Sequence, residues 1–374
     1  MRVLSIGSER NLFVKNSDAQ KRIQEYGMLF NELHIIIFAN KNLGYKNINV
    51  SNNIFLYPTN HKYKISYLWH IYKIANLLIT SHKFSVITVQ DPFGSGFAGW
   101  FLKLKYKLPL QIQIHTDLLS PYFWQESWKN KGQVLLAKFL LPRADGIRVV
   151  SERIKDSLNS RFLISDSKIT VLPVFVDVKK IQSAKIKINL HEKYPDQFII
   201  LMASRLTKEK NIGMAIEAMR DIIKKYPNAL LLIVGDGPEE NKLKAQSLGL
   251  EANIIFEPWT SDLVSYYKTA DLFLATSNYE GYGRTVIESM AAGLPAVMTD
   301  VGLAGEILVD DLDGLVIPVQ DIKALIGAIL SLMENRGKRE NLVVESRKVA
   351  ESLISKEDYL QLYKKTLEKI SKNA

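Results

Sequence analysis

The chain has 374 residues, 47% of them hydrophobic and 24% charged, and it contains no cysteine. That balance excludes a chain disordered throughout, and the missing thiols exclude a disulfide framework or a thiolate metal site. The formal net charge of +10 is unevenly spread, with 23 Lys/Arg against 12 Asp/Glu in residues 1–177 and 26 against 27 in the remainder. The first half therefore either meets an anionic partner (nucleic acid, lipid headgroups or a phosphorylated substrate) or simply carries a solubilising lysine surface.

In chain order, Arg2–Ile6 reads as a strand that opens at Gly7. The run from Met1 lacks the long apolar core and cleavage site of a signal peptide. No uncharged apolar stretch reaches about 18 residues, so no membrane-spanning helix is expected. The expected location is cytoplasmic, with peripheral attachment at the inner membrane face as the variant to test. Arg22–Leu33 has helical spacing and His34–Phe38 is a short β-rich run. Val86–Val89, Gln111–His115 and Gly146–Val150 read as strands, with a helix near Phe97–Tyr106. Such short all-apolar runs suit parallel strands buried on both faces.

The second half repeats the scheme. Phe198–Ala203, Ala229–Val234, Asn253–Phe256 and Leu272–Ala275 read as strands. Asn211–Tyr226 reads as a helix stopped by Pro227, Glu240–Leu248 as one stopped by Gly249, and Thr285–Ala292 as one closed by Gly293 and Pro295. Ser355 and Asp358 form a capping box for a last helix. Two βα series imply an α/β protein with two doubly wound sheets, divided near Val171–Lys180, and the default active site is the cleft between them. The six histidines at 34, 61, 70, 82, 115 and 191 show no metal-ligand spacing, so no metal is expected.

The most informative stretch runs from Ser277 to Pro295. It follows a strand, turns on Gly281 and Gly283, and enters a helix. Glycine admits a ligand close to the backbone, and the first helical N–H groups form an anion site suited to a diphosphate. Glu280 precedes the helix and Glu288 lies about one turn inside it, so each can accept hydroxyl hydrogen bonds. A helix start with acidic residues favouring the macrodipole explains the same pattern. In Ser204–Asn211, Arg205 follows a strand end and Lys210 precedes a helix; two cations there can neutralise a departing nucleoside diphosphate, or can be ordinary surface charges.

Glu280 and Glu288 fit the E-x7-E pattern, and S-N-Y-E-G-Y-G-R-T-V-I-E-S-M-A-A-G-L-P resembles the signature of retaining glycosyltransferase family 4, also called group 1. S-R-L-T-K-E-K-N, L-L-I-V-G-D-G-P and K-T-A-D-L-F-L-A-T-S resemble further hallmarks, as do Asp91-Pro92-Phe93, His115-Thr116-Asp117 and Val150-Ser151-Glu152. The likeness covers roughly residues 85 to 320. It implies a GT-B fold, two Rossmann-like domains facing a central cleft, with an acceptor-side domain over 1–177, a donor domain over 178–357 and a last helix over 358–374 crossing back.

By the same resemblance, Arg205 and Lys210 hold the donor diphosphate, Glu288 bonds the ribose and Glu280 the transferred sugar. Gly283, Arg284 and Thr285 add backbone contacts to phosphate, and the nucleobase rests near Trp259. His115 sits near the reacting carbon, with Asp91, Phe93 and Asp117 on the acceptor side. Gly7 keeps a sharp turn after the first strand and is assigned to the donor side, although Gly7-Ser8-Glu9-Arg10-Asn11 departs from the family's G-G-x-x-R loop. The implied reaction moves a sugar, with retention, from a UDP-, GDP- or ADP-sugar to a glycan or lipid-linked acceptor in surface-polysaccharide or glycolipid synthesis, without a cofactor.

Three motifs compete. Gly94-Ser95-Gly96-Phe97-Ala98-Gly99 matches a dinucleotide fingerprint and supports an NAD(P)-dependent oxidoreductase as the alternative, against close helix–strand packing. Asp311-Leu312-Asp313 spells a metal–diphosphate signature but reads as an acidic turn before Gly314. Lys103-Leu104-Lys105-Tyr106-Lys107, with Tyr63, Tyr67, Trp69, Tyr72, Trp124 and Trp128, suits an anionic membrane surface better than nucleic acid when a sugar transferase is in view. Aromatics at helical spacing are also ordinary core.

Overall fold

Apolar runs of four to six residues become the buried strands of two parallel sheets in the computed structural model, which describes residues 1–63 and 66–372. The chain divides into two units, Met1–Pro173 with Ser355–Ala374, and Val174–Ile354.

The first unit runs β1 (Arg2–Gly7), α1 (Asp18–Gly27), β2 (Glu32–Ile37), β3 (Ile48–Ser51), β4 (Ile54–Pro58), α2 (Tyr67–Ser81), β5 (Val86–Val89) and α3 (Gly94–Tyr106). It continues through β6 (Leu110–Ile114), α4 (Pro121–Glu126), α5 (Trp128–Leu140), β7 (Gly146–Val149), α6 (Glu152–Phe162) and β8 (Ile169–Val171). Sheet order is β3-β4-β2-β1-β5-β6-β7-β8. All pairs are parallel except the β3–β4 edge hairpin. Winding reverses between β1 and β5, so the loops after Gly7 and Val89 leave the sheet side by side at its switch point.

The second unit runs α7 (Val178–Ser183), α8 (Leu190–Lys193), β9 (Phe198–Ala203), α9 (Ile212–Lys225), β10 (Ala229–Val234), α10 (Glu240–Gln246) and β11 (Ile254–Glu257). It continues through α11 (Leu263–Thr269), β12 (Leu272–Ala275), α12 (Arg284–Ala292), β13 (Ala296–Thr299), β14 (Leu315–Ile317), α13 (Ile322–Glu334) and α14 (Arg336–Glu351). Its order, β11-β10-β9-β12-β13-β14, is parallel throughout. Ile200, Leu231, Ile233, Leu272 and Val297 on the sheet meet Ile216, Met219 and Ile329 on the helices. Here winding reverses between β9 and β12.

The final helix, α15 (Lys356–Ser371), is capped by Ser355 and packs on β5, β6 and β7 of the first unit. Residues 373 and 374 of the expected last helix lie outside the described residues. The division falls at Pro173 because β8 is the last strand of the first sheet, and at Ser355 because that residue starts α15.

Two local expectations differ. The helix expected over Arg22–Leu33 ends at Gly27, since Leu33 pairs with Val3 and already belongs to β2. The β3–β4 hairpin has no counterpart in the expected series; it turns on the polar pair Asn52 and Asn53 and puts polar Asn49 on the edge strand.

Candidate active site

In the second unit, two loops leave the sheet at the β9/β12 switch point. The first, Ser204–Asn211, is held down by glycines of the neighbouring loop. A Cβ on Gly235 would meet the Ser204 carbonyl oxygen at 1.9 Å, and one on Gly237 would meet that of Leu206 at 2.3 Å. The second loop is tied to the first by Thr276, whose hydroxyl donates to the carbonyls of Lys210 and Asn211, both at 3.0 Å, and by the Asn278 amide, which donates to Glu209 at 2.7 Å.

These ties bring Lys210 and Glu280 into a half-buried ion pair, and the Ser277 hydroxyl donates to the same carboxylate at 2.9 Å. Ser204, Lys210, Thr276, Ser277, Glu280 and Thr285 line one small cavity. Gly283 caps α12 at φ +105°, a left-handed conformation that favours glycine, and supplies no side-chain acceptor. The first-turn N–H groups of Arg284 and Thr285 are thus directed outward from the helix start beside this cavity. A bracing turn follows β13, where Leu303 donates to the Tyr282 carbonyl at 2.8 Å.

Glu288 is fixed from two sides. Arg284 pairs with one oxygen at 2.6 Å, and the Tyr267 hydroxyl donates to the other at 3.1 Å. Burial, then the Glu288 charge, raises the Tyr267 pKa far above its usual range, so the phenol stays a donor. Arg205 stands apart in its contacts: it is 79% exposed at the side chain and pairs with Glu209 at 3.4 Å on its own loop. Trp259 is 53% exposed and its amide donates to Asp236 at 3.3 Å. Nearby Glu257 is desolvated, yet bonds from Lys193, Tyr194 and Tyr266 hold its pKa below the ordinary value.

In the first unit, Gly7 ends β1 where a Cβ would collide with the Gln90 side chain, so glycine leaves room for that side chain at the switch point. Asp91 is spent on structure. Its carboxylate accepts from the Phe93 amide at 2.8 Å and the Ser95 amide at 3.3 Å, closing the start of α3. Gly96 and Gly99 are packing glycines: a Cβ on Gly96 would sit 2.9 Å from the Asp91 carbonyl oxygen, and one on Gly99 2.7 Å from Val89 and 2.8 Å from Leu110. A helix start already closed by a carboxylate repels a pyrophosphate, which disfavours the dinucleotide alternative at this loop. Phe93 stacks with Phe123 at 6.3 Å, and Asp117 accepts from the Leu119 amide at 3.2 Å. Burial raises the Asp117 pKa against that bond and the nearby Arg153 and Arg161.

His115 follows β6 and shares a face with Gln111 and Gln113. Gln113 offers its carbonyl oxygen to His115 Nε2 at 3.2 Å and to the Arg148 guanidinium at 3.0 Å, while its amide donates to Thr88 at 2.9 Å. Thr88 donates to Gln111 at 3.1 Å, and Gln111 donates to Thr366 of α15 at 3.1 Å. Because Arg148 can only donate, the Gln113 oxygen must face it. The neutral ring then carries its proton on Nε2 and keeps Nδ1 as acceptor. Desolvation, then the charges of Arg148 and Arg22, lowers the His115 pKa to about 3. The residue retains solvent access, and both guanidiniums act in the same direction, toward a ring uncharged at neutral pH.

Sequence reasoning did not single out Thr276, Ser277, Tyr267, Gln113 or Arg148. Gln111, Gln113 and His115 alternate along an otherwise apolar strand, which is the signal that could have marked them. Among the described residues, Glu32, His34 and His82 form a group close enough to hold a metal ion. The Glu32 oxygen that both imidazoles approach also pairs with Arg2 at 2.9 Å, a fixed positive charge that opposes a cation. Asp311-Leu312-Asp313 is a turn in which Asp313 accepts from the Val309 amide at 2.8 Å.

The comparisons with known proteins bear on both units. A family model described as glycosyl transferases group 1 matches residues 184–349, and one described as glycosyltransferase family 4 matches residues 30–180. The alpha-monoglucosyldiacylglycerol synthase of Streptococcus pneumoniae is 30% identical over 58% of this chain and 52% of its own. The capsular polysaccharide biosynthesis glycosyltransferase CapM of Staphylococcus aureus is 29% identical over 59% of this chain and 60% of its own. The chain thus spans little more than half the length of these two curated relatives. HepE of Anabaena, solved with UDP and glucose, superposes with a TM-score of 0.78 at 19% identity, over 99% of this chain and 100% of that one. Sucrose-phosphate synthase of Thermosynechococcus elongatus gives a TM-score of 0.79 at 18% identity over the whole of both chains. With one domain matched over residues 30–180 and the other over 184–349, the chain belongs to the group 1 glycosyltransferases and has the GT-B fold.

Proposed function

We propose that the protein is a retaining, metal-independent glycosyltransferase that moves a sugar from a nucleoside-diphosphate sugar to a hydroxyl of a glycan or lipid-linked acceptor. The observation that carries this reading is the Lys210–Glu280 pair set in one cavity with Thr285 at the start of α12. A diphosphate entering there takes Lys210 and the helical N–H groups as partners. Glu280, released from the ammonium, turns to hydroxyls of the sugar, and Glu288, held by Tyr267 and Arg284, accepts from the ribose. Arg205, exposed at the surface, closes over the phosphates, and Trp259 lies beside the base.

Breaking the bond between the anomeric carbon and the β-phosphate oxygen places negative charge on the phosphate and positive charge on the sugar. Lys210, Arg205 and the α12 N-terminus stabilise the former, which is the work a metal does elsewhere. The acceptor oxygen bonds to the anomeric carbon on the face that the phosphate leaves, and its proton passes to that phosphate oxygen. Retention then needs no protein nucleophile. In this reading Gly7 serves the donor side, Asp91, Phe93 and Asp117 shape the acceptor side, and His115 offers Nδ1 to a sugar hydroxyl.

The relatives in glycolipid and capsule synthesis support an acceptor of that class, and the HepE complex makes UDP-sugars the first donors to test. A donor screen by thermal shift should raise the melting temperature with one nucleotide-sugar. Lys210→Ala should then lower transfer roughly 100- to 1,000-fold, and chelation should leave the wild-type rate unchanged. Full activity of Lys210→Ala overturns the reading.

A further inference from the structure

The excess positive charge of the first unit has a specific address. No Asp or Glu occurs between Glu32 and Asp91. Helices α2, α3 and α5, which pack side by side, contain no acidic residue but carry six lysines, at 73, 103, 105, 129, 131 and 138. A solvated surface normally mixes both signs. This one instead pairs lysines with exposed apolar side chains: Trp69 is 55% exposed, Leu77 66%, Phe101 47%, Leu104 49% and Leu135 61%.

Aromatic contacts join the three helices. Phe101 meets Tyr72 edge-on at 5.8 Å across α2 and α3, and Trp100 meets Phe139 at 5.2 Å across α3 and α5. An open groove between the first two helices is lined by Leu68, Trp69, Tyr72, Phe97 and Phe101, with no charged member. Lysines stand over its rim, Lys73 at 4.2 Å from the Trp69 ring and Lys105 at 4.6 Å from the Tyr72 ring. Lys103 has a local carboxylate, Asp145, at 2.6 Å.

We propose that this α2–α3–α5 face docks on an anionic lipid bilayer, with Trp69, Phe101 and Leu104 entering the headgroup boundary and Lys73 and Lys105 meeting lipid phosphates. A protein partner would need acidic groups matched to each lysine, whereas a bilayer supplies a continuous negative plane above an apolar layer, the two properties this face combines. Its place in the unit adds a reason. The groove lies between the first half of α2 and the middle of α3, and Tyr67, at the start of α2, packs against Gly94 at the start of α3, the end of the sheet where Asp91 and Phe93 stand. A lipid-borne acceptor held there would reach the acceptor edge without leaving the membrane. That last step rests on the proposed transfer reaction; the docking does not.

The test uses the full chain, with vesicle binding measured in the absence of donor and acceptor. At low salt, vesicles of phosphatidylglycerol mixed with phosphatidylcholine should bind at least roughly tenfold more protein than phosphatidylcholine alone, and wild-type tryptophan emission should move to shorter wavelength on binding. Phe101→Asp with Leu104→Asp, and separately Lys73→Glu with Lys105→Glu, should each lower binding about tenfold while melting temperature and donor hydrolysis stay as in wild type. Equal binding to both vesicle types, or a pair of reversed-charge variants that bind as wild type, overturns the proposal. So does a concentration-dependent dimer in sedimentation that the Phe101→Asp variant abolishes, since a second copy would then own the face. If the variants unfold, the wild-type emission shift decides alone. Docking that persists with no sugar transferred would fault the proposed reaction and leave the docking intact.

Discussion

His115 shows how a single side chain is tuned by burial and by neighbouring charge. Its folded pKa, about 3, lies below the ordinary 6.5. Between those two values the unfolded chain binds a proton that the folded chain refuses. The stability tied to the neutral ring is therefore complete above pH 6.5 and is lost as the pH falls toward 3. Burial lowers the His34 pKa as well, against the Glu32 bond, so part of the decline belongs to that residue. His115→Gln should flatten, without abolishing, the fall in melting temperature between pH 6.5 and 4; parallel curves for the two proteins would remove His115 from the account. The same neutral ring predicts no rate change from His115 between pH 6 and 8.

At the scale of elements, glycines decide where helices can lie. Gly99→Ala drives a methyl into Val89 and Leu110 and should cost about 1–3 kcal/mol by denaturant melt. Gly132→Ala, on an open side of α5, should be neutral or slightly stabilising. A similar cost at both positions would show that the α3 contact is looser than drawn. Strands were legible where an apolar run is bounded by glycine or proline, as in Ala229–Val234 before Gly235, because burial on both faces leaves one periodic solution. Legibility failed at β3, the edge strand, where polar Asn49 is tolerated. In the site, Lys210, Glu280 and Gly283 were visible because each follows a strand end or opens a helix. Tyr267 and Arg148 were not, since they act across space: one reaches Glu288 from a different helix, the other reaches Gln113 from a neighbouring strand. Arg205 was legible both as a phosphate-binding cation and as a surface charge, but its pairing with Glu209 was not.

For the whole molecule, the last helix belongs to a unit that the chain left some 180 residues earlier. Tyr359 bonds Arg148 and Tyr26, both at 3.0 Å, and Lys356 pairs with Glu25 at 2.5 Å. Ending the chain after Ile354 strands the buried Arg148 and Gln111 without these partners and should destabilise the first unit by roughly 3 kcal/mol or more. Calorimetry should resolve this as a lowered first-unit transition beside an unmoved second one. A joint shift of both would mean that the helix supports more than its own sheet. The row of amides and hydroxyls beneath His115 has a further property. At one terminus stands a guanidinium, which has no lone pair to give; at the other, Thr366 donates at 2.8 Å to a main-chain oxygen, which has no hydrogen to give. Every dipole between them must point the same way, and no single amide can rotate without breaking the sequence. The His115 tautomer is thus held at one end of the row by Arg148 and secured at the other by the carboxy-terminal helix.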